Sequence, residues 1–193
     1  PYYGTNVEAL IDDVAKAYQD AIADFYDHGC RYIQIDDTSW TYLIDETFLK
    51  KVDALGYKKE EILDWFKRVS TKALDNKPED MFIATHFCKG NFKGNPLFHG
   101  FYDSVAPVIA EIPYQAFFVE YDDARSGSFE PWKALKDKDA IFVAGLISTK
   151  NPELEDHDEI KKRYEEAKAI VGDQIALSPP VSYTHLRAHE TGA

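Results

Sequence analysis

Five short apolar runs recur along this chain, and each neighbouring pair is separated by enough sequence to hold a helix. The runs are Arg31-Tyr32-Ile33-Gln34-Ile35-Asp36, Met81-Phe82-Ile83-Ala84-Thr85, Gln115-Ala116-Phe117-Phe118-Val119, residues 140–147 and Gln174-Ile175-Ala176-Leu177-Ser178. Their β-branched and aromatic content reads as strand. No hairpin turn signal joins any two of them. Antiparallel neighbours can be joined by two residues, whereas parallel ones need a crossover, usually a helix. The order helix, strand, helix, strand therefore predicts a parallel sheet with helical crossovers. Each run also exits into polar residues, while its start is poor in them. Chemistry gathered at C-terminal strand ends favours a (β/α)8 barrel over a doubly wound sheet. Five strands do not close such a barrel. The expected architecture is α/β, the C-terminal part of a (β/α)8 TIM barrel.

The stretches between the runs carry helical signals. Asn6 can cap a helix to about His28, with Leu10, Ile11, Val14, Ile22 and Phe25 at helical spacing and Gly29 as the stop. Residues 41–55 and 58–75 read as two more helices, separated by Gly56-Tyr57 and closed by Asn76-Lys77-Pro78. Residues 101–111 read as a helix limited or kinked by Pro107, and residues 130–135 as a short one. Asp156 or Asp158 opens a charged amphipathic helix to about Val171.

Composition narrows the class of partner. A net charge of −12 argues against nucleic acid and anionic membrane surfaces. No apolar run approaches the ~20 residues of a membrane span. Two cysteines, Cys30 and Cys88, make no disulfide framework, and a reducing cytoplasm suits them.

The chemistry-bearing residues sit at the strand exits. The second strand runs into Thr85-His86-Phe87-Cys88. In extended chain, positions i and i+2 share a face, so His86 and Cys88 would present an imidazole and a thiolate to one point. Those are preferred zinc ligands, although a Cys in such a place can equally be a small packed hydrophobe. The first strand ends in Asp36-Asp37-Thr38-Ser39-Trp40 and the third in Glu120-Tyr121-Asp122-Asp123. Asp37 is also a natural cap for a following helix. Two readings stand side by side at this point. His86, Cys88 and Glu120 can bind a metal, or Asp36, Asp37 and Glu120 can act as general acid and base in a metal-free barrel hydrolase or decarboxylase.

Three segments together resemble the catalytic barrel of cobalamin-independent methionine synthase: Arg31 to Asp36, Thr85-His86-Phe87-Cys88-Lys89-Gly90-Asn91-Phe92, and Phe118-Val119-Glu120. The resemblance is closest to single-barrel, methionine-synthase-like relatives and covers most of residues 7–179. It implies a TIM barrel of the uroporphyrinogen decarboxylase and methionine synthase type. It implies Zn2+ held by His86, Cys88 and Glu120, with the homocysteine amino group held by Asp36. The expected reaction is methyl transfer to the homocysteine thiol, giving methionine. Asp36, Asp37 and Trp40 are the expected substrate contacts, and Asp36 and Lys150 the expected catalytic pair. Lys150 stands where the methionine synthases carry a histidine, and the glutamate expected near Tyr42 is absent. These departures leave the methyl donor open between a methylated folate and another compound. The acceptor is open as well, since transferases that open epoxides with a thiol share the zinc-thiolate chemistry.

In that family the last zinc ligand is a Cys just after the final strand. Here Ser178-Pro179 is followed by Pro180-Val181 and a stretch that departs from the acidic strand-helix pattern. Residues 180–193 resemble a translated sequencing adapter. The expected organisation is thus a partial catalytic barrel over 1–179 and a non-native tail over 180–193. With no Met at the start, a fragment truncated at both ends, and an inactive one, is expected. Adapter-free long reads of the source DNA past the Pro179 codon are expected to show a Cys codon within a few residues. A tail that reads as given would leave this motif with at most three zinc ligands and favour the carboxylate reading.

Overall fold

The Asn6 side chain accepts the Ala9 N–H at 3.1 Å and starts α1 (Val7–Asp27). The helix ends ahead of Gly29, whose φ of +92° suits a residue without a Cβ. Ile11, Ala15 and Ile22 form its buried stripe. The computed structural model describes residues 2–92, 95–122, 126–148 and 154–179. Lys150 and residues 180–193 fall outside these, and so does the domain boundary expected after residue 179.

Five strands form one parallel sheet: β1 (Tyr32–Asp36), β2 (Phe82–Phe87), β5 (Ala116–Glu120), β6 (Ile141–Gly145) and β7 (Ile175–Ser178). They lie side by side in chain order, β1-β2-β5-β6-β7. A doubly wound sheet reverses its order at a switch point, and this sheet does not. Strands β3 (Asn91–Phe92) and β4 (Asn95–Pro96) form a separate antiparallel pair within the loop after β2. That small hairpin is absent from the sequence expectation, because two residues a side carry no alternating pattern to detect.

The helices cover one face of the sheet. They are α1, α2 (Glu46–Ala54), α3 (Lys59–Ala73), α4 (Ala106–Ile109) and α5 (His157–Val171). Ile83 and Phe87 of β2, Phe117 and Val119 of β5, and Phe142 and Ala144 of β6 are buried in a single large core on this side. Trp132 is fully buried within it, with the rings of Phe87, Tyr102, Phe117 and Phe142 at centroid distances of 5.6 to 6.3 Å. The opposite face carries a small cluster of Ala84, Ala116 and Val143, flanked by Phe82, Phe118, Ile141 and Ala176. Helices on one face, sequential strand order and small residues on the other face describe part of a (β/α)8 barrel, with the second cluster on its interior.

Three expected helices differ in detail. Residues 41–55 are not continuous: a 3-10 turn spans Thr38–Leu43, and Asp45 then caps α2 by accepting the Phe48 N–H at 3.0 Å. A capping side chain restarts the helix wherever its oxygen reaches the N3 amide. Residues 101–111 shrink to a 3-10 turn at Tyr102–Ser104 and the single turn of α4. Pro107 sits in the first turn of α4, where its missing N–H costs nothing. Glu130–Leu135 is likewise 3-10.

Asp45 has a second task. Its other oxygen accepts the His99 N–H at 3.1 Å and ties the loop after β4 to the start of α2. Next to this tie, Gly100 lies so close to Ile44 that a Cβ would stand 2.3 Å from the Ile44 carbonyl oxygen. Burial pulls the Asp45 carboxyl up, but the backbone N–H groups of His99, Phe48 and Thr47 outweigh it, and the net displacement is downward. A depressed carboxyl contributes stability above its unfolded value and loses it as pH falls through the folded one. Asp45→Ala is expected to cost about 1–2 kcal/mol at pH 7 by denaturant unfolding, with the difference shrinking below roughly pH 4.

β1 and β7 each have one side without a strand partner among the described residues. Unpaired edges are templates for pairing with another chain. The 193-residue chain is therefore expected to self-associate as its concentration rises, as followed by light scattering on a sizing column. A monodisperse monomer with one sharp melt would contradict this.

Candidate functional site

Register decides which side chains meet. Asp36 of β1 lies level with His86 of β2, and His86 with Phe118 of β5. One pleat further on, Glu120 of β5 lies level with Gly145 of β6, and Gly145 with Ser178 of β7. Asp36, His86 and Glu120 share the interior parity with Gln34, Ala84 and Phe118. They stand at the C-terminal strand ends, as the sequence pattern predicts. Cys88, two residues past His86 and one past the end of β2, is buried. The Lys89 N–H donates to Glu120 Oε2 at 2.9 Å and ties the end of β2 to the end of β5.

His86 is the best-defined member. Its side chain is 4% exposed, and its Nδ1 lies 3.2 Å from Asp36 Oδ1. Burial pushes the imidazole pKa down; the charges of Asp36 and Glu120 oppose that but do not reverse it. The ring is thus neutral at pH 7 and carries one proton. A carboxylate can only accept, so that proton sits on Nδ1. The lone pair is left on Nε2, which is buried and has no hydrogen-bond partner. A histidine oriented by a carboxylate through one nitrogen, with the other nitrogen bare, is the usual setting of a metal-ligating imidazole.

Asp36 Oδ1 also accepts from Gln34 Nε2 at 3.1 Å, and the Asp36 side chain is 64% exposed. It is the strand-end acid of β1 that remains accessible to a ligand. Asp37 is used locally: it accepts from Ser39 Oγ and, at 2.7 Å, from Trp40 Nε1. Trp40 is fully buried, edge-on to Phe66. The direct substrate contact expected of Trp40 is therefore corrected, since it has no exposed surface to offer. Asp37 faces the helix side, where with Ile35, Ser39 and Tyr114 it lines a cavity of about 310 Å3 between α1 and α3. Lys150 lies outside the described residues.

Two residues here carry no sequence signal. Lys89 is 5% exposed, with its Nζ 5.5 Å from the centroid of the Tyr102 ring. Tyr102 is 1% exposed, and its hydroxyl has no hydrogen-bond partner. Burial, followed by the charges of Glu120, Tyr121, Cys88 and Asp122, holds its phenol well above the usual tyrosine value. Lys89 opens the glycine-rich stretch that reads as loop and Tyr102 follows it, and only tertiary packing places them.

The donor types present, imidazole N, thiolate S and carboxylate O, are those of zinc, and the bare Nε2 of His86 fits a metal. As the side chains stand, no three His, Cys, Asp or Glu groups among the described residues converge to hold one. Glu120 instead accepts the Lys89 N–H.

Comparison with known proteins bears on this arrangement. Residues 5–191 match the family described as cobalamin-independent synthase, catalytic domain. The uncharacterized proteins YxjG and YxjH of Bacillus subtilis (strain 168) are 39% identical over 183 residues and 40% identical over 178 residues. These alignments cover 94% and 91% of this chain but 48% and 47% of the relatives, so the chain spans about half their length. A Listeria monocytogenes structure, provisionally named a vitamin-B12-independent methionine synthase, superposes with a TM-score of 0.76 at 36% identity. That superposition covers 95% of this chain and 52% of the other. A B12-independent methionine synthase from Shewanella sp. W3-18-1, in complex with selenomethionine, superposes with a TM-score of 0.63. It covers 92% of this chain and 49% of the other at 17% identity, a likeness of fold alone.

Proposed function

The chain belongs to the cobalamin-independent synthase catalytic-domain family, and on that premise we propose that its site serves zinc-dependent methyl transfer to the thiol of homocysteine, giving methionine. The observation that carries the reading is the Asp36–His86 contact at 3.2 Å, with His86 Nε2 buried and bare at the strand ends where Cys88 and Glu120 are also buried.

In this reading His86 Nε2, the Cys88 thiolate and the Glu120 carboxylate hold the metal. Bound there, zinc would lower the pKa of the substrate thiol and keep it as the thiolate that attacks carbon. The chain's own residues do the positioning. Asp36 Oδ1 holds the His86 ring in one tautomer, which leaves the second carboxylate oxygen for the ammonium group of an amino-bearing thiol. The Lys89 N–H holds the Glu120 carboxylate at the end of β5, where it would serve as a ligand. Holding thiol and methyl donor in line supplies much of the rate in such a displacement. Lys150, as a proton donor or a grip for a carboxylate, a methylated folate or other methyl donor, and a cytoplasmic setting belong to the same proposal. No helix among the described residues is long and apolar enough to cross a membrane.

In the metal-free carboxylate reading Asp37 would have to act while accepting from Ser39 and Trp40. Titration with Zn2+ against a chromophoric chelator separates the two. The wild-type chain is expected to bind one equivalent, and Cys88→Ala to weaken binding by roughly 100-fold or more. Equal metal affinity in Cys88→Ala would favour the carboxylate reading. The acceptor is tested by calorimetric binding of homocysteine against a thiol of similar length lacking the amino group. Homocysteine is expected to be preferred, with the preference lost in Asp36→Ala. Tighter binding of the amino-free thiol would move the assignment to another thiol alkyltransferase.

A further inference from the structure

We propose that Tyr102 is a positioning residue of the metal-binding set, its hydroxyl donating a hydrogen bond to the anionic donor atoms of Cys88 and Glu120. This deepens the zinc reading above and rests on it.

The position of Tyr102 is set from several sides. The loop that delivers it is tied to α2 by the His99 N–H on Asp45 and by the close approach of Gly100 to Ile44. Its ring lies 5.6 Å from that of Tyr121 and 6.1 Å from that of Trp132, and Lys89 Nζ is 5.5 Å from its centroid. Tyr121 directly follows Glu120, and Lys89 directly follows Cys88. The phenol is thus packed against the residues that flank two of the three donor groups.

Its hydroxyl is the anomaly. It is buried, yet it has no hydrogen-bond partner. A phenylalanine would fill the same space without stranding a polar group, so the oxygen needs an acceptor that the present side-chain arrangement does not supply. A phenol keeps its O–H at neutral pH, so beside the residues that flank Cys88 and Glu120 the hydroxyl is available as a donor. His86 Nε2, at the end of β2, is also buried and orphaned, and it is an acceptor. A cation held at the strand ends would satisfy both, directly at the imidazole and through the Cys88 and Glu120 anions at the phenol. Donors of this kind orient metal ligands and spread their charge, and their loss typically weakens metal binding about 10- to 100-fold.

The test is Tyr102→Phe in the full chain, beside wild type and Cys88→Ser. Three quantities are read: the melt of the metal-free protein, Zn2+ affinity by chelator competition, and the thiolate-to-metal absorption band of the Co2+-loaded protein. Metal-free Tyr102→Phe is expected to melt at or above the wild-type temperature, to bind zinc roughly 10- to 100-fold more weakly, and to shift the cobalt band. A merely structural hydroxyl would lower the melt and leave the band in place, which would overturn the proposal. Wild-type affinity and band in Tyr102→Phe, with zinc binding lost in Cys88→Ser, would remove Tyr102 from the site and keep the zinc reading. Equal zinc affinity in wild type and Cys88→Ser would overturn both.

Discussion

The site depends on strand parity, and parity is held by the helix-side core. Ile83 and Phe87 of β2 and Phe117 and Val119 of β5 are all 2% exposed or less. Slipping either strand by one residue would turn its pair out of that core and bring the interior-facing set into it. Fully burying an aliphatic or aromatic side chain is worth about 1.5–3 kcal/mol. Moving four such residues would thus cost roughly 6–12 kcal/mol, comparable to the whole stability of an ordinary domain. The alternation that buries Phe87 is the same one that turns His86 inward, so the chemistry inherits its geometry from the packing.

Parity also explains how much of this protein is legible in its sequence. The five strands are short runs of β-branched and aromatic residues, and all five appear in the sheet in chain order. The strand-end positions of His86 and Glu120 follow from the same regularity. What periodicity does not encode is the choice of partner once several are in reach. Asp37 could face a substrate or close a local ring with Ser39 and Trp40, and the hydrogen bonds show the second. Asp45 could sit inside a helix or restart one, and its reach to the Phe48 amide shows the second. Tyr102 and Lys89 are buried only because the loop between β2 and α4 folds back on the strand ends, and nothing local in Gly-Phe-Tyr-Asp predicts that.

The interior face follows a different packing rule from the helix side. Across β2, β5 and β6 it carries Ala84, Ala116 and Val143, where the helix side carries Phe87, Phe117 and Phe142. Small side chains below the polar row leave room for the longer arms of His86 and Glu120 to lie over the sheet. In closed barrels the interior is filled in layers by side chains from alternate strands. Here the rows read Gln34, Ala84, Ala116 and Ile141, then Asp36, His86, Phe118 and Val143. Polarity starts with Gln34 at β1, takes in Asp36 and His86 in the second row, and reaches Glu120 and Ser178 one pleat further at β5 and β7. The polar face is thus inclined along the sheet and faces away from the strand starts.

Burial at the centre of this row works against folding and for chemistry at once. A buried imidazole with a bare nitrogen and a buried phenol with no acceptor are each unfavourable in the metal-free chain. The Asp36 side of the His86 contact is 64% exposed, so water screens it and it contributes little stability. That contact orients the ring. Because burial outweighs the neighbouring carboxylates, His86 stays neutral. An imidazolium could not bind a cation, and an imidazole deprived of its carboxylate could present either nitrogen. The stability forgone at His86 is therefore what leaves Nε2 bare, and the large aromatic core around Trp132 is what lets the fold carry it.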